Sequence, residues 1–517
     1  METARVYAGV IFPANQEKLV SRENAECFLL ERGDDTCDLV IPEDYYFVPV
    51  DDGRFILYLP AVNASFLVNE GTKKLFDDIV KKKSLSLERD ALAALNYFIL
   101  NGIIIHEAQD CGSSNDLNNL DEYIEEYIKN YAPTHLAICP TSDCNLRCKY
   151  CYASGGDKPK YMDLHIAERA IDYVINNAVK IGSDRIILSF HGGGEPMLAF
   201  DLIEKSVKYG KERTGEMGLR LELVLTTNLM VEKERLDFII DNFDLVAVSF
   251  DGSKDIQDYN RPAVNGKGSY DLVMRNLKIL DKSKVKYVIS STFLKKDISR
   301  MEEVLSFLID NFSNAQGYHF EPFAKISRAE ENDLEEIDWK EFAEHFEKAE
   351  RLAKKYKKTV FKNCWGIKKT GTRFCGGVLD GFWVSLNGNV YSCVELNFDN
   401  DPVGHAFKIG KFDSVTGEFV MDIQTLKRLL RRDVNNILNC RGCFAKYNCR
   451  GGCPSRVMRC TGDYMDTSTW HECDVVKESV KSALVELLTR AEYRINMEDY
   501  LPLAEPDKLS DSDITSD

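Results

Sequence analysis

The sequence predicts an α/β protein built around a parallel β-sheet, with a small α+β unit before the sheet and a cysteine-rich region after it. From Leu136 to about Phe323, short apolar segments such as "RIILSF" and "LVAVSF" alternate with amphipathic helical segments. This alternation is typical of βα units, whose functional residues gather at the carboxyl ends of the strands. Cysteines concentrate after residue 364, where long segments with periodic apolar residues are few. That region therefore needs something other than an apolar core to stabilise its fold.

The size and charge of the chain restrict its class. With 517 residues it exceeds one compact core, and two or three domains are expected. The net charge of −17 argues against a nucleic-acid partner. The apolar runs are shorter than a membrane span, and "METARVYAGV" has no signal-peptide pattern, so we expect a cytoplasmic protein without membrane contact.

The order of predicted elements divides the chain. Strand-like "FILYLP" and "SFLVNE" precede helical "TKKLFDDIVKKK" and "LERDALAALNYFILNGI", which suggests a winged-helix-like α+β unit, and the polar "GSSNDLNN" marks a linker. Six strands are expected in the sheet, namely "HLAIC", "RIILSF", "LELVLTTN", "LVAVSF", "KYVISSTF" and "GYHFEPF". The predicted parts are 1–115 (α+β unit), 130–335 (sheet), 336–363 (bridging helix), 364–480 (cysteine-rich region) and 481–517 (helix and acidic tail).

The 16 cysteines point to metal ligation, because a reducing cytosol keeps thiols free. Cys144, Cys148 and Cys151 form a C-x3-C-x2-C loop directly after "HLAIC". Three thiolates hold three irons of a [4Fe-4S] cube and leave the fourth iron open to a ligand. A zinc site is the alternative, although structural zinc normally takes four ligands and no His stands nearby.

A glycine run ends the next predicted strand, in "SFHGGGEP". Gly192, Gly193 and Gly194 let the backbone come close to a ligand, and Glu195 offers a carboxylate for an amino group. A tight turn is the alternative for a glycine run taken alone.

The cysteine loop after the first strand and "GGEP" after the second resemble the radical S-adenosylmethionine superfamily. The resemblance implies a partial (β/α)6 barrel and an iron–sulfur cluster that binds S-adenosylmethionine, which is cleaved to a 5′-deoxyadenosyl radical. It also implies that Tyr150 lies against the adenine and that Gly193, Gly194 and Glu195 hold the methionine amine. The positions similar to ribose or carboxylate contacts are Thr227, Asn228, Ser249, Asp251 and Arg261. For Ser249 and Asp251, a simple Asp-Gly turn is the alternative.

A second set of seven cysteines lies downstream. Cys375 and Cys393 flank a predicted hairpin with Gly388 at its tip, and "CRGCFAKYNCRGGCP" has the spacing C-x2-C-x5-C-x3-C before a last cysteine. Seven thiols exceed one tetrahedral zinc site, so two centres are expected. Iron–sulfur clusters fit better than two zincs, because clusters relay electrons and because the run ends in Cys-Pro as in two-cluster ferredoxins. Two zinc sites remain the alternative.

This whole pattern resembles the SPASM domain of peptide-modifying radical enzymes. The resemblance implies three [4Fe-4S] clusters in the chain, including an auxiliary cluster I on Cys375, Cys393 and Cys453. It places auxiliary cluster II on Cys440, Cys443, Cys449 and Cys473. Cluster I then lacks one ligand, which Cys364 supplies, unless that iron stays open for a substrate thiol.

Two subclasses of these enzymes compete for the function. Sulfatase maturases typically carry an Asp after the second cysteine as a base, whereas here Val394 follows Cys393, and Glu395 one place later is the candidate base. The passage "FLVNEGTKKLFDDI" resembles the leader-recognition domain of peptide maturases, in which a leader peptide adds a strand to a sheet edge. An N-terminal cap that only packs is the alternative.

We therefore predict a maturase that installs crosslinks, foremost Cys thioethers, in a ribosomally made precursor peptide. Its partners are expected to be that precursor, with its leader on the N-terminal unit, and a low-potential electron donor such as flavodoxin or ferredoxin. An anaerobic sulfatase maturase that makes formylglycine from Cys or Ser is the alternative enzyme. A metal-binding or electron-carrier protein without catalysis is the alternative of another class.

Overall fold

The structure is a computed structural model of the chain. It describes residues 6–11, 39–41, 44–51, 53–60, 64–83, 85, 89–100, 103–106, 120–363, 370–376, 381–396, 401–470 and 472–488. The predicted ligand Cys364, the polar linker and the acidic tail lie outside these ranges.

The strands are β1 (Val6–Ile11), β2 (Leu39–Val40), β3 (Tyr46–Asp51), β4 (Arg54–Leu59), β5 (Ala64–Asn69), β6 (Ile105–His106), β7 (His135–Ile138), β8 (Arg185–Phe190), β9 (Arg220–Thr227), β10 (Leu245–Ser249), β11 (Lys286–Phe293), β12 (Gly317–Pro322), β13 (Val360–Phe361), β14 (Phe382–Val384), β15 (Asn389–Tyr391), β16 (Lys408–Asp413) and β17 (Glu418–Met421). The helices are α1 (Glu70–Val80), α2 (Arg89–Leu100), α3 (Leu120–Lys129), α4 (Leu164–Ile181), α5 (Phe200–Glu216), α6 (Lys233–Asn242), α7 (Lys254–Asn260), α8 (Tyr270–Asp281), α9 (Met301–Asn311), α10 (Arg328–Glu331), α11 (Trp339–Lys355), α12 (Ile423–Leu430), α13 (Lys446–Cys449), α14 (Pro454–Thr461) and α15 (Cys473–Leu488).

The N-terminal unit is an antiparallel sheet in the order β1-β5-β4-β3, accompanied by α1, α2 and a small β2–β6 ladder. Phe66, Phe76 and Phe98 pack edge to face in its core. Asn69 ends β5 and caps α1, since its side chain accepts a hydrogen bond of 3.1 Å from the Thr72 amide. The passage from strand to helix in "FLVNEGTKKLFDDI", expected from the sequence, is therefore confirmed.

The central sheet contains all six predicted strands. Strands β7 to β12 pair in chain order, and every neighbouring pair is parallel. Helices connect them, as in α4, where the Asp163 side chain caps the amino end and Gly182 ends the helix at φ +69°. The apolar faces of these helices and strands form one large core, in which side chains such as Ile171, Val248 and Ile289 are fully buried. This arrangement matches the partial barrel that the resemblance implies.

The cysteine-rich region continues this sheet. Strand β14 pairs in parallel with β7, and β15, β16 and β17 follow as antiparallel neighbours. Gly388, at φ +76°, forms the tip of the β14–β15 hairpin, as the sequence predicts. The hairpin thereby brings Cys393 to the edge of the barrel.

The N-terminal sheet packs on the cysteine-rich region and the bridging helix. Val48 and Ile56 share an apolar cluster with Ala343 of α11, Ala445 and the apolar face of α15. The Tyr58 hydroxyl donates a buried hydrogen bond of 2.9 Å to the Asn448 side chain. Among the described residues, the helices are all too short or too polar to cross a membrane.

Candidate active site

A cavity of about 640 Å³ opens at the carboxyl ends of the parallel strands. Cys144, Cys148 and Cys151 line one part of it, together with residues that follow strands β8 to β12. Cys375, Cys393 and Cys453 line another part of the same cavity. The two cysteine sets, which lie far apart in the sequence, therefore open onto one space.

The first cysteine loop presents three thiols that backbone amides partly support. The Leu146 amide lies 3.5 Å from the Cys144 sulfur, and the Gly155 amide lies 3.4 Å from the Cys151 sulfur. Burial and the neighbouring thiols raise the pKa of Cys144 to about 12. Burial, ahead of the charges around it, also raises the pKa of Cys148 to about 12. Thiols with such a high pKa stay protonated at neutral pH, and they lose the proton when a metal ion binds the sulfur.

Two arginines fix the shape of this loop. An Arg147 Nη donates to the Cys144 carbonyl at 2.7 Å, and an Arg328 Nη donates to the Gly155 carbonyl at 2.9 Å. Arg328 also pairs with Asp157 at 2.6 Å. These charge-assisted bonds hold the loop in one conformation without using the thiols.

The glycine run packs against the cysteine loop. Gly193 has φ +67°, and a Cβ there would lie 2.5 Å from the Cys139 sulfur. A Cβ on Gly194 would lie 1.9 Å from the Asp143 carbonyl oxygen, and the Gly194 amide donates 2.9 Å to the Thr141 carbonyl. The sequence suggested that glycine lets the backbone approach a ligand. The structure adds that the absence of side chains lets the two loops close on each other.

Glu195 joins this glycine run to the end of β9. Its Oε1 accepts from the Thr227 hydroxyl at 2.7 Å, and its Oε2 accepts from the Asn228 amide at 2.7 Å. The side chain is buried, and burial raises the pKa of Glu195 although these hydrogen bonds favour the carboxylate. Three residues predicted to bind one ligand are thus in direct contact.

A second group of predicted residues centres on Asp251. It accepts from the Tyr150 hydroxyl at 2.6 Å and pairs with Arg261 at 3.0 Å. Asp251 is fully buried and is not among the residues that line the cavity, whereas Tyr150, Ser249 and Arg261 do line it. Asp251 therefore orients Tyr150 and Arg261 from the side that faces away from the cavity. Within the described residues, the buried Nε of Arg261 has no hydrogen-bond partner.

The downstream cysteines form two groups. Burial raises the pKa of Cys393 strongly, and so do the nearby Glu395 and the thiols of Cys453 and Cys375. Burial likewise raises the pKa of Cys449, with contributions from the other members of its own group. Those members are Cys440, Cys473 and Cys443. In the ranges that the structure describes, cysteines are all free thiols, and no three His, Cys, Asp or Glu side chains have an arrangement that fits a single metal ion.

Glu395, the candidate base, lines the cavity close to the first of these groups. The Ser455 hydroxyl donates to its Oε2 at 2.8 Å and lies 3.2 Å from the Cys453 sulfur. Glu395 therefore stands beside the thiols that face the cavity.

A row of hydrogen-bonded polar side chains on β11 and β12 was not predicted from the sequence. His319 contacts the Ser290 hydroxyl through Nδ1 at 3.0 Å and Glu321 through Nε2 at 3.0 Å. Burial raises the pKa of Glu321, but the bond from His319 and the charge of Arg456 outweigh it, so that the pKa lies below its ordinary value. Ser290, His319, Glu321 and Arg456 all line the cavity. The only signal was the alternation of His319 and Glu321 on one face of "GYHFEPF".

Comparison with known proteins identifies the family. Residues 138–308 match the sequence profile of the Radical SAM superfamily, and they contain the cysteine loop, the glycine run and strands β8 to β11. These residues form a radical SAM domain.

Several relatives cover larger parts of this radical SAM protein. An uncharacterized protein of Methanocaldococcus jannaschii is 34% identical over 178 residues, which are 34% of this chain and 58% of that protein. A cysteine-type anaerobic sulfatase-maturating enzyme of Clostridium novyi is 22% identical over 335 residues, which cover 60% of this chain and 85% of that enzyme. A serine-type anaerobic sulfatase-maturating enzyme of Bacteroides thetaiotaomicron is 24% identical over 64% of this chain and 85% of its own length.

Two solved structures share the fold. Native anSMEcpe with bound AdoMet superposes with a TM-score of 0.54 at 20% identity, over 69% of this chain and 100% of its own. SuiB of Streptococcus suis, bound to precursor peptide SuiA, superposes with a TM-score of 0.50 at 15% identity, over 83% of this chain and 98% of its own. The likeness to SuiB therefore extends over more of this radical SAM protein.

The family implies a [4Fe-4S] cluster and S-adenosylmethionine, and the residues present fit both. The three cysteines of the first loop are free thiols, and all three line the cavity. Arg261, whose buried Nε has no hydrogen-bond partner among the described residues, lines the same cavity and offers a positive charge for an anionic group of the ligand. Arg147 and Arg328 hold the loop that carries these cysteines.

Proposed function

We propose that this protein is a radical SAM peptide maturase that installs crosslinks, foremost Cys thioethers, in a ribosomally made precursor peptide. One observation carries the proposal: a single cavity is lined by Cys144, Cys148 and Cys151 and also by Cys375, Cys393 and Cys453. A peptide residue in that cavity lies between a site that starts radical chemistry and a site that accepts an electron. When bound, S-adenosylmethionine and the clusters supply a hydrogen-abstracting radical and that acceptor.

The ligand sets follow the contacts described above. The first loop would hold the cluster, while Gly193, Gly194 and Glu195 would bind the methionine amine. Arg261 would take an anionic group of the ligand, and Tyr150 would face its adenine. Thr227 and Asn228 position Glu195, and Ser249 borders the same space.

The two downstream groups would hold the auxiliary clusters. Cys375, Cys393 and Cys453 would bind cluster I, with Cys364 as its fourth ligand, and the other four cysteines would bind cluster II. A low-potential donor such as flavodoxin or ferredoxin would supply electrons. Glu395 would take the proton that a substrate thiol loses as its sulfur–carbon bond forms, since it stands beside the thiols of cluster I.

The N-terminal sheet would bind the leader of the precursor. Strands β1 and β3 are its edges, and an extended peptide adds to such an edge through main-chain hydrogen bonds. The extent of the likeness to SuiB, which was solved with a precursor peptide, supports this role. The sheet rests on the loop that carries Cys440, Cys443 and Cys449, so a bound leader would be coupled to the cluster region.

An anaerobic sulfatase maturase is the second candidate. The relatives from Clostridium novyi and Bacteroides thetaiotaomicron favour it, because both are sulfatase-maturating enzymes and match 60% or more of this chain. Val394, in the place where such enzymes typically carry an Asp, speaks against it.

Mass spectrometry of peptide products tests both functions. The full chain, reconstituted with iron and sulfide and reduced anaerobically with S-adenosylmethionine, is offered the short Cys-containing peptides encoded beside its gene and a sulfatase-derived Cys peptide. A crosslink removes two hydrogen atoms from the peptide, whereas formylglycine replaces sulfur by oxygen as well.

A control variant makes the test specific for radical chemistry. Cys148→Ala should abolish both products and the formation of 5′-deoxyadenosine. Iron-loaded wild-type protein that forms no 5′-deoxyadenosine with any peptide would overturn the catalytic proposal in favour of an electron carrier.

A further inference from the structure

A buried guanidinium, that of Arg432, contacts the loop that joins the two downstream cysteine groups. Arg432 follows α12, and only 1% of its surface is exposed. Its Nε donates to the Tyr464 carbonyl at 2.7 Å, and one Nη donates to the Gly451 carbonyl at 2.6 Å. The other Nη is buried and has no hydrogen-bond partner in the described part of the chain.

No carboxylate compensates this charge. Among the described residues, no Asp or Glu oxygen lies within ion-pair distance of Arg432, and both of its hydrogen-bond acceptors are neutral carbonyls. A buried charge without a counter-ion is strongly unfavourable. The fold therefore needs a source of negative charge next to this side chain.

Cysteines of both groups are close enough to Arg432 to supply this negative charge. Negative charge on the sulfurs of Cys453 and Cys375 from one group, and of Cys440 and Cys449 from the other, would stabilise the charged guanidinium. It also lies under the loop that joins the two groups, because a Cβ on Gly451 would be 3.5 Å from one Nη and 3.6 Å from the other. Gly451 itself has φ +75°, and a Cβ there would collide with the Ile437 side chain at 2.5 Å and not with the guanidinium.

We infer that Arg432 is the shared counter-charge of both downstream cysteine groups and raises the reduction potentials of the clusters they hold. This inference rests on the proposed function, which assigns those clusters. Each cluster gains one electron on reduction and becomes more negative, so a fixed positive charge favours the reduced form of both. Arg432 is not among the residues that line the cavity, so it would act on the clusters and not on a ligand bound in the cavity.

The neighbouring Arg431 provides a matched control. Its side chain is about half exposed, and it pairs with Asp121 on the surface at 2.6 Å. Arg431→Met thus removes the same charge one position away, but from solvent.

Redox titration with dithionite, followed by electron paramagnetic resonance, tests the inference without any peptide. Cys144, Cys148 and Cys151 are first replaced by Ala, so that the remaining signals belong to the downstream clusters. We expect Arg432→Met to lower the reduced fraction of both clusters at a fixed potential, each ratio of reduced to oxidised form falling about tenfold, which equals 59 mV for one electron. Arg432→Lys and Arg431→Met should retain the parent potentials.

The iron content separates the possible outcomes. If the parent, in which Cys144, Cys148 and Cys151 are Ala, holds no iron, the cluster assignment itself is wrong. If the parent carries the clusters and Arg432→Met holds full iron at unchanged potentials, the counter-charge role is wrong. If Arg432→Met loses iron, Arg432→Lys decides: retained iron and potentials support the role of the charge, and equal loss in both variants shows that only the hydrogen bonds to Tyr464 and Gly451 matter.

Discussion

Asp44 joins the N-terminal unit to the loop that carries Cys440, Cys443 and Cys449. Its Oδ1 lies 2.7 Å from the Lys446 Nζ, and the Tyr46 hydroxyl donates to the same oxygen at 3.2 Å. The Tyr447 hydroxyl donates to Oδ2. The Lys446 side chain is only 8% exposed and that of Asp44 is 22% exposed, so the pair is largely shielded from water.

Asp44→Asn removes the charge with little change to the backbone. Asp44 has φ +64°, a conformation that Asn tolerates as well as Asp does. Loss of one partner of a buried ion pair costs about 3–5 kcal/mol, because the other charge stays buried. Since Asp44 is partly exposed, we expect a loss of about 2–3 kcal/mol in the free energy of unfolding of this region.

The loss should depend on pH in a defined direction. Burial raises the pKa of Asp44, but hydrogen bonds from Lys446 and Tyr447 outweigh burial, so that the pKa in the folded state is below its ordinary value. A carboxyl with a lowered folded pKa stabilises the fold above its unfolded pKa, and this stability disappears as the pH falls through the folded pKa. The wild type and Asp44→Asn should therefore differ most above about pH 5 and converge in acid.

Urea unfolding of the iron-loaded protein measures the effect. The transition is followed by the iron–sulfur absorbance and by tryptophan fluorescence, because a multidomain chain need not unfold in one step. In a double-mutant cycle, adding Lys446→Met should recover part of the loss, since the orphaned charge is then gone. A change below about 0.5 kcal/mol for Asp44→Asn, or simple additivity with Lys446→Met, would refute the reasoning.

Three further predictions concern the cavity. Glu195→Gln places an amide N–H against a backbone donor and should weaken S-adenosylmethionine binding roughly 10- to 100-fold in equilibrium binding, with unchanged iron content. Gly193→Ala should lose iron from the first loop because its Cβ meets the Cys139 sulfur, whereas Gly182→Ala, with positive φ but open space, should keep that iron. Glu395→Gln should still form 5′-deoxyadenosine while the peptide product falls by about two orders of magnitude, and an unchanged product yield would remove Glu395 as the base.

The sequence was sufficient for elements that follow from local periodicity. The six parallel strands, the passage from strand to helix at Asn69 and the Gly388 hairpin each depend on a few neighbouring residues, and all three are confirmed. The grouping of the downstream cysteines into clusters remains a prediction, and Cys375, Cys393 and Cys453 line one cavity.

Other features depend on contacts between distant segments. The parallel pairing of β14 with β7 joins residues about 250 positions apart, and nothing in either short strand indicates its partner. The sequence did not indicate that Arg432 is buried either, because its neighbour Arg431 has the same side chain and lies at the surface. Asp251 was visible as a strand-end carboxylate, but its orientation behind Tyr150 follows from packing alone.

The contacts around α13 connect the two ends of the molecule. Lys446 pairs with Asp44, and Asn448 accepts a hydrogen bond from Tyr58 of the N-terminal sheet. Cys449, in the same helix, belongs to the cysteine group nearest that sheet. Removal of residues 1–115 would therefore expose this helix and leave Lys446 buried without its partner. For that reason a truncated chain cannot separate leader binding from cluster stability, whereas Asp44→Asn changes the interface and leaves both edge strands of the sheet intact. If the N-terminal unit serves only to support the clusters, Asp44→Asn should impair peptide modification in proportion to lost iron. If it binds the leader, iron-loaded Asp44→Asn should retain its affinity for the precursor peptide.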